Sequence, residues 1–114
     1  MKGLGITNIL KQAQHVQEEI KRVKQELGGM KVTGSSGGGM VTVTANGKQQ
    51  ILDVKIDAET IKMEDKEMLE DLVVAGVNQA LERSQDLANE HLSKVTGGML
   101  SNLPEGIKIP GLNL

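Results

Sequence analysis

Two stretches with helical spacing of apolar residues frame the chain, and a stretch with strand spacing lies between them. In the first, apolar residues recur at alternating intervals of four and three positions: Ile9, Ala13, Val16, Ile20, Val23, Leu27 and Met30. This heptad spacing predicts a helix over residues 6–28 that lies along another helix. Thr7 or Asn8 suits its N-cap, and Gly28-Gly29 suits its end.

The central stretch, residues 38–57, alternates apolar and polar positions on both sides of Asn46-Gly47. This dipeptide favours a type I′ two-residue turn, because both central positions of that turn need φ > 0. Pairing outward from it sets Val41 opposite Leu52. One face then collects Val41, Val43, Ala45, Leu52, Val54 and Ile56. We therefore predict a β-hairpin whose apolar face packs on another element, since a lone hairpin is marginal in water.

Shorter elements and a second long helix complete the predicted order. Residues 30–33 suit a short strand, residues 34–39 (GSSGGG) a flexible loop, and residues 58–61 a short helical turn. A helix then runs from its cap Asp65 to about Val95, and Gly97-Gly98 end it. Its apolar stripe is Leu69, Leu72, Val73, Gly76, Val77, Ala80, Leu81, Leu87, Ala88 and Leu92. The stripe thins after Leu81, so the first half is expected to cover the sheet and the second half to project.

The resulting fold class is α+β, in the order α–β–β–β–α, with long terminal helices flanking a small antiparallel sheet. We predict one domain over residues 1–96 and a flexible tail over residues 97–114, which holds both prolines and no periodic apolar signal. The two long helices carry more apolar surface than three short strands can cover, which indicates a homodimer.

Composition strengthens the case for an oligomer. The 114 residues include no Phe, Tyr, Trp or Cys, so the core must be aliphatic and has neither disulfides nor thiolate chemistry. A small aliphatic core makes a self-sufficient monomer harder to build. The sequence has no signal peptide and no apolar run of about 18 residues, so we expect a cytoplasmic protein with no membrane partner.

Charge is distributed unevenly along the chain, although the net charge is only −2. Residues 1–31 hold six basic residues against three acidic ones. Residues 53–71 hold eight acidic residues against three lysines. The two regions therefore suit different partners.

No arrangement of residues predicts catalysis. The GSSGGG segment leads into a strand and lacks the Gly-Lys-Ser/Thr and following helix that a phosphate-binding loop requires. His15 and His91 stand alone on separate helices, and the pair Glu64-Asp65 fits a helix cap. We expect a protein that is not an enzyme, with no small-molecule substrate, no cofactor and no metal site.

Binding to duplex nucleic acid is the chemistry that the charges allow. The absence of aromatic residues argues against base stacking, and so against the usual single-strand and loop-RNA modes. Duplex binding through phosphates needs only positioned Lys and Arg. The candidate DNA-binding residues are Lys11, Lys21, Arg22 and Lys24 on the first helix, and Arg83 and Lys94 on the last. The alternative is an ordinary solvated helix face, which physics alone favours given the acidic total.

Six stretches, taken together and in order, carry a family resemblance: residues 9–14, 32–34, 37–47, 54–57, 65–73 and 98–110. They resemble the YbaB/EbfC family of bacterial nucleoid-associated proteins over nearly the whole chain. The resemblance implies a homodimer whose sheets and helices form a central body, from which long helices project like a pair of tweezers that bind duplex DNA. It assigns DNA contact, by region, to the six basic residues named above.

Two hypotheses of different classes follow. The first is a cytoplasmic, nucleoid-associated homodimer that binds double-stranded DNA without catalysis and influences DNA organisation or gene expression. The alternative is a dimeric protein–protein interaction scaffold that does not bind DNA directly. Salt-dependent binding to a DNA duplex distinguishes the two hypotheses.

Overall fold

The computed structural model describes residues 2–100, with the backbone alone for residues 2–4, 96 and 98–100. The elements are α1 (Lys2–Gly28), β1 (Lys31–Ser36), β2 (Val41–Asn46), β3 (Ile51–Ile56), α2 (Ala58–Lys62) and α3 (Lys66–Leu100). The strands form one antiparallel sheet in the order β1-β2-β3. The predicted α–β–β–β–α order is therefore confirmed, and α2 is the short helical turn expected after the hairpin.

Among residues 5–28 of α1, fully buried side chains lie only near the C-terminal end. Val23 and Leu27 are 3 % and 2 % exposed, whereas Ile6 and Ile9 are 60 % and 65 % exposed. The covered residues of the heptad pattern are thus those closest to the sheet, where α1 also contacts α3. The N-terminal half of the heptad pattern is solvent-exposed in the described chain.

The register of the hairpin differs from the prediction. Val41 pairs with Ile56 and Val43 pairs with Val54, whereas a two-residue turn places Leu52 opposite Val41. A bulge between Thr44 and Ala45 shifts the pairing again near the turn. The apolar face predicted for β2 is correct, but the strands are joined by a longer turn.

Two features of Asn46-Gly47 explain the longer turn. The Asn46 carboxamide Oδ1 accepts hydrogen bonds from the backbone N–H of Lys48 (2.9 Å) and of Gln50 (3.1 Å), which builds a side-chain turn around this residue. Gly47 packs on α1, where an added Cβ would lie 2.7 Å from the carbonyl oxygen of Leu27. The glycine therefore permits a close approach, and the left-handed φ of 62° falls on Gln49 instead.

Helix α3 covers the apolar face of β1 and β2. Val41, Val43, Ala45 and Ala80 are fully buried and form the centre of the core. Gly34, predicted to begin a flexible loop, is a buried residue of β1, and the strand continues to Ser36. The prediction was wrong because this glycine is needed where the α3 backbone rests on the strand.

Strand β3 keeps much of its apolar surface exposed. Ile51, Leu52 and Val54 are 38 %, 49 % and 39 % exposed, because α3 lies mainly over the other two strands. The assignment of Leu52 to the core is therefore wrong for the described chain. The bulge places Ile51, and not Leu52, opposite the buried Ala45.

Helix α3 begins as predicted and ends later. The Asp65 carboxylate accepts a hydrogen bond from the backbone N–H of Met68 at 3.0 Å, which confirms the N-cap. The helix continues through Gly97-Gly98 to Leu100, since glycine costs a helix only about 1 kcal/mol and does not by itself end it.

Beyond the sheet α3 runs beside α1, and the described chain is elongated, 75 × 25 × 17 Å. Residues 101–114 lie outside the described residues, so the flexible tail stays a prediction.

Candidate nucleic-acid interface

All six predicted DNA-binding residues have exposed side chains. They differ in what they contact within the protein, and this decides how freely each could bind a phosphate. Lys11, Lys21 and Lys24 on α1 form no ion pair with any described residue. The other three are already engaged by carboxylates or by the backbone.

Arg22 is bound by two carboxylates of its own helix. Its guanidinium lies 2.6 Å from Glu19 and 2.6 Å from Glu26, at i−3 and i+4 spacing. The hydrogen bond from Arg22 holds the pKa of the Glu19 carboxyl below its ordinary value, and the same contact raises the pKa of the guanidinium. A phosphate must therefore compete with both carboxylates for Arg22.

Arg83 joins α3 to β1, an edge strand of the sheet, through a hydrogen bond. Its Nη1 donates a hydrogen bond of 2.7 Å to the carbonyl oxygen of Thr33. One helical turn earlier, the Gln79 Oε1 accepts a 2.6 Å hydrogen bond from the backbone N–H of Ser35. Thr33 and Ser35 are alternate residues of β1, so both groups face the edge away from β2. Arg83 and Gln79 thus occupy two of the open hydrogen-bonding positions of that edge.

Lys94 has a weaker internal contact. Its ammonium group is 3.6 Å from the Glu90 carboxylate, and the two side chains are 69 % and 63 % exposed. A pair this exposed contributes little to stability and is easily exchanged for another anion. Lys94 therefore remains accessible on the distal part of α3.

A further lysine, Lys48, was missed by the sequence reasoning. It lies with Lys24 in a groove of about 380 Å³ between α1, the turn joining β2 to β3, and α3. The lining residues of this basic groove are Lys24, Leu27, Gly47, Lys48, Gln49, Gln85, Ala88, Asn89 and Leu92. The Asn46-Gly47 turn signal placed Lys48 near a hairpin tip, but no local pattern places that tip beside α1.

Acidic side chains gather at the opposite end of the sheet. Asp65, Glu67 and Asp71 line a shallow depression at the start of α3. The helix passes Ser36, whose hydroxyl donates to the carbonyl of Leu72 at 2.6 Å, before it reaches the turn at the far end of β2. The separation of charge along the sequence is therefore also a separation in space.

Other chemistries find no support among residues 2–100. His91 Nδ1 lies 3.1 Å from the backbone carbonyl of Leu87, within its own helix. No group of three or more His, Cys, Asp or Glu side chains in this part of the chain is arranged to hold a metal ion. Nor does any helix in it combine the length and apolar character needed to cross a membrane.

Comparison with known proteins identifies the family. The sequence matches the YbaB/EbfC DNA-binding family over residues 1–99. A nucleoid-associated protein of Caldanaerobacter subterraneus subsp. tengcongensis is 45 % identical over 102 residues, which is 90 % of each chain. A nucleoid-associated protein of Syntrophobacter fumaroxidans is 45 % identical over 105 residues, covering 92 % of this chain and 93 % of the relative.

The fold also has a counterpart among solved structures. The crystal structure of an uncharacterized protein from Helicobacter pylori superposes with a TM-score of 0.59 at 23 % identity, covering 68 % of this chain and 90 % of that one. This likeness supports the α+β fold. The expectation that the protein is not an enzyme is confirmed by the family match and the names of the relatives. The chain belongs to the YbaB/EbfC DNA-binding family.

Proposed function

We propose that this protein binds double-stranded DNA as a homodimer, acts in the nucleoid without catalysis, and influences DNA organisation or gene expression. The observation that carries the proposal is the set of exposed α1 lysines, Lys11, Lys21 and Lys24, none of which has an ion pair within the described chain. These ammonium groups are free to bind phosphates, and family membership favours DNA as the polyanion.

Binding of this kind reads the backbone of the duplex more than its bases. Lysine contacts a phosphate as a point charge, and the chain has no aromatic residue to insert or stack between bases. The affinity should therefore fall steeply with salt and vary little with DNA sequence.

Exposed apolar surface supports the homodimer. Ile51, Leu52 and Val54 leave an apolar edge on β3, and the N-terminal half of α1 exposes Ile6 and Ile9. Edge strands with exposed apolar residues are surfaces that proteins usually cover. A second copy of the chain, related by a two-fold axis, can cover the same surface on both protomers.

The homodimer is tested by comparing three Asp substitutions, one of which is a control. Leu52→Asp is expected to give a folded monomer, because this side chain is 49 % exposed and its charge remains in water once the partner has left. Val43→Asp is expected to unfold the protein, because the side chain is fully buried. Lys55→Asp, at an exposed position of the same strand, is the control and should remain dimeric. Multi-angle light scattering measures the mass, and circular dichroism the folding. A wild-type protein that is monomeric at micromolar concentration would contradict the homodimer.

DNA binding is tested by fluorescence anisotropy of a labelled duplex, titrated with the full chain at several salt concentrations. The logarithm of the observed binding constant should fall linearly with log salt, by about 0.9 for each phosphate contacted. A Lys11→Gln, Lys21→Gln double variant should show a smaller slope. Absence of binding even at low salt would refute the proposal. It would favour the interaction scaffold, with the acidic surface around Asp71 as the first place to seek a protein partner.

A further inference from the structure

We propose that the basic groove is a binding site for the phosphodiester backbone of DNA, in which Lys24 and Lys48 bind one phosphate group together. The inference rests on the proposed function and names a site for it that joins three elements. Lys24 comes from α1, Lys48 from the turn between β2 and β3, and the remaining wall from α3. The groove therefore exists only in the folded chain.

The lining of the groove suits an anion. It includes two lysines and three residues with carboxamide side chains, Gln49, Gln85 and Asn89, and no Asp or Glu. Neither lysine forms an ion pair with a described residue. Two like charges in one groove repel each other, and an anion between them removes that repulsion.

The carboxamides can add hydrogen bonds to the phosphate oxygens. Gln49 Nε2 donates to Gln85 Oε1 over a long 3.3 Å, which engages the oxygen of Gln85 and leaves its NH₂ group to donate elsewhere. Leu27, Ala88 and Leu92 form an apolar side of the groove. This mixture suits a phosphodiester, whose charged oxygens are flanked by apolar sugar carbons.

The backbone of Lys48 is held in place by buried hydrogen bonds. The Ser84 hydroxyl, fully buried, donates to the carbonyl of Asn46 at 2.6 Å and accepts from the N–H of Gln49 at 2.9 Å. The N–H of Gly47 donates to the carbonyl of Leu27 at 2.8 Å. The turn is thus fixed to α3 on one side and to α1 on the other. A lysine on such a turn loses less conformational entropy on binding than one on a mobile loop.

Gly28 gives the Lys48 side chain room to cross the end of α1. A Cβ at this position would lie 3.3 Å from Cε and 3.7 Å from Nζ of Lys48. The aliphatic part of the lysine therefore lies against the glycine, and the ammonium group is held near the end of the helix. The absence of a side chain at Gly28 helps to keep Lys48 on the same groove as Lys24.

The experiment measures binding of the full chain to a labelled duplex at several salt concentrations, for the wild type, Lys24→Gln and Lys48→Gln. Lys62→Gln is the control, because it removes the same charge from an exposed α2 residue outside the groove. Each groove variant should make the salt slope less negative by about 0.9 per protomer whose phosphate contact is lost. At about 0.1 M salt this corresponds to an affinity loss of about eightfold per contact, equal on duplexes of unrelated sequence.

A double variant tests whether the two lysines share one phosphate. If they do, Lys24→Gln, Lys48→Gln should lose less affinity than the two single losses combined, because the contact is already broken in each single variant. Full additivity would overturn the shared phosphate. Circular dichroism of all variants confirms that the fold is unchanged.

Failure of the groove and failure of the proposed function give different results. If the wild type binds DNA and the groove variants keep its salt slope and affinity, the groove proposal is overturned and DNA binding stands. If Lys62→Gln weakens binding as much as Lys48→Gln, net charge explains the effect and the groove proposal is again overturned. If the wild type does not bind the duplex even at low salt, both proposals are overturned.

Discussion

Gly34 is the position at which the backbone of α3 rests directly on the sheet. A Cβ built there would lie 2.8 Å from the carbonyl oxygen of Gly76 and 2.9 Å from Cα of Ala80, and would also collide with the backbone nitrogen of Ala80. All three are backbone atoms of one helix and cannot rotate aside. Gly34→Ala therefore has to move α3 away from β1, or bend the strand.

The size of the effect follows from these distances. Ordinary van der Waals contact of a Cβ begins at 3.4 Å, so the carbonyl oxygen of Gly76 must retreat by about 0.6 Å, and the backbone nitrogen of Ala80, which lies closer, by more. The displacement loosens the core around Val43 and Ala80, which are fully buried. Overpacking costs typically about 1–3 kcal/mol, and an obstacle made of backbone places this case near the upper end. Loss of unfolded-state entropy on replacing glycine returns only about 0.4–1 kcal/mol.

We therefore expect Gly34→Ala to lower the free energy of unfolding by about 2 kcal/mol. At about 4–8 °C per kcal/mol for a domain of this size, the melting temperature should fall by about 8–16 °C. Thermal unfolding followed by circular dichroism at a fixed protein concentration measures this change. The fixed concentration matters because the stability of the proposed homodimer would depend on it.

Gly5→Ala is the matched control for the same chemical change. Gly5 lies in α1 with nothing within 4 Å of the added Cβ. Alanine is the better helix former by about 1 kcal/mol, so the melting temperature should stay the same or rise. If Gly34→Ala instead melted within about 2 °C of the wild type, the close contact between α3 and β1 would be refuted.

Two further variants test contacts of the arginines. Arg22→Gln should raise the pKa of the Glu19 carboxyl towards its ordinary value, since it removes the hydrogen bond that lowers it; NMR titration of the side-chain carboxyl carbon measures the shift. In the wild type, the stabilisation from the Arg22–Glu19 pair should be fully present at pH values above the ordinary pKa of a glutamate. It should be lost as the pH falls through the lowered pKa of Glu19. Arg83→Ala should uncover the carbonyl of Thr33 at the sheet edge and increase concentration-dependent association, measured by light scattering, whereas Arg22→Ala should not.

Local patterns predicted the order of the elements because each depends on short-range spacing. The heptad pattern of α1 and the Asp65 cap need only a few neighbouring residues, and both long helices are found. The hairpin register depended on interactions that these local patterns do not include. The Asn46-Gly47 signal for a turn was right, but the Asn46 side chain and the packing of Gly47 on Leu27 selected a longer one. The second of these is a tertiary contact that turn chemistry does not contain.

The candidate site was likewise predictable where it depends on local spacing, but not where it depends on contacts between distant segments. Exposure of the basic helix residues followed from the apolar stripes. The pairing of Arg22 was visible in principle, since Glu19 and Glu26 stand at i−3 and i+4. The contact of Arg83 with Thr33 spans 50 residues, and the position of Lys24 and Lys48 in one groove requires the folded turn. Neither arrangement produces a pattern in the local sequence.

The separation of the acidic end of the sheet from the lysine-bearing end has a consequence for encounters with DNA. At a distance the duplex meets a chain of net charge −2, which it repels weakly. Within about 8 Å, the Debye length at physiological salt, the local charges dominate instead. Approach with Asp65, Glu67 and Asp71 in front is then unfavourable, and approach with Lys24 and Lys48 in front is favourable. Under the proposed binding mode, these local charges orient the molecule in the last step of approach, and the productive collisions are those in which the lysine-bearing end arrives first.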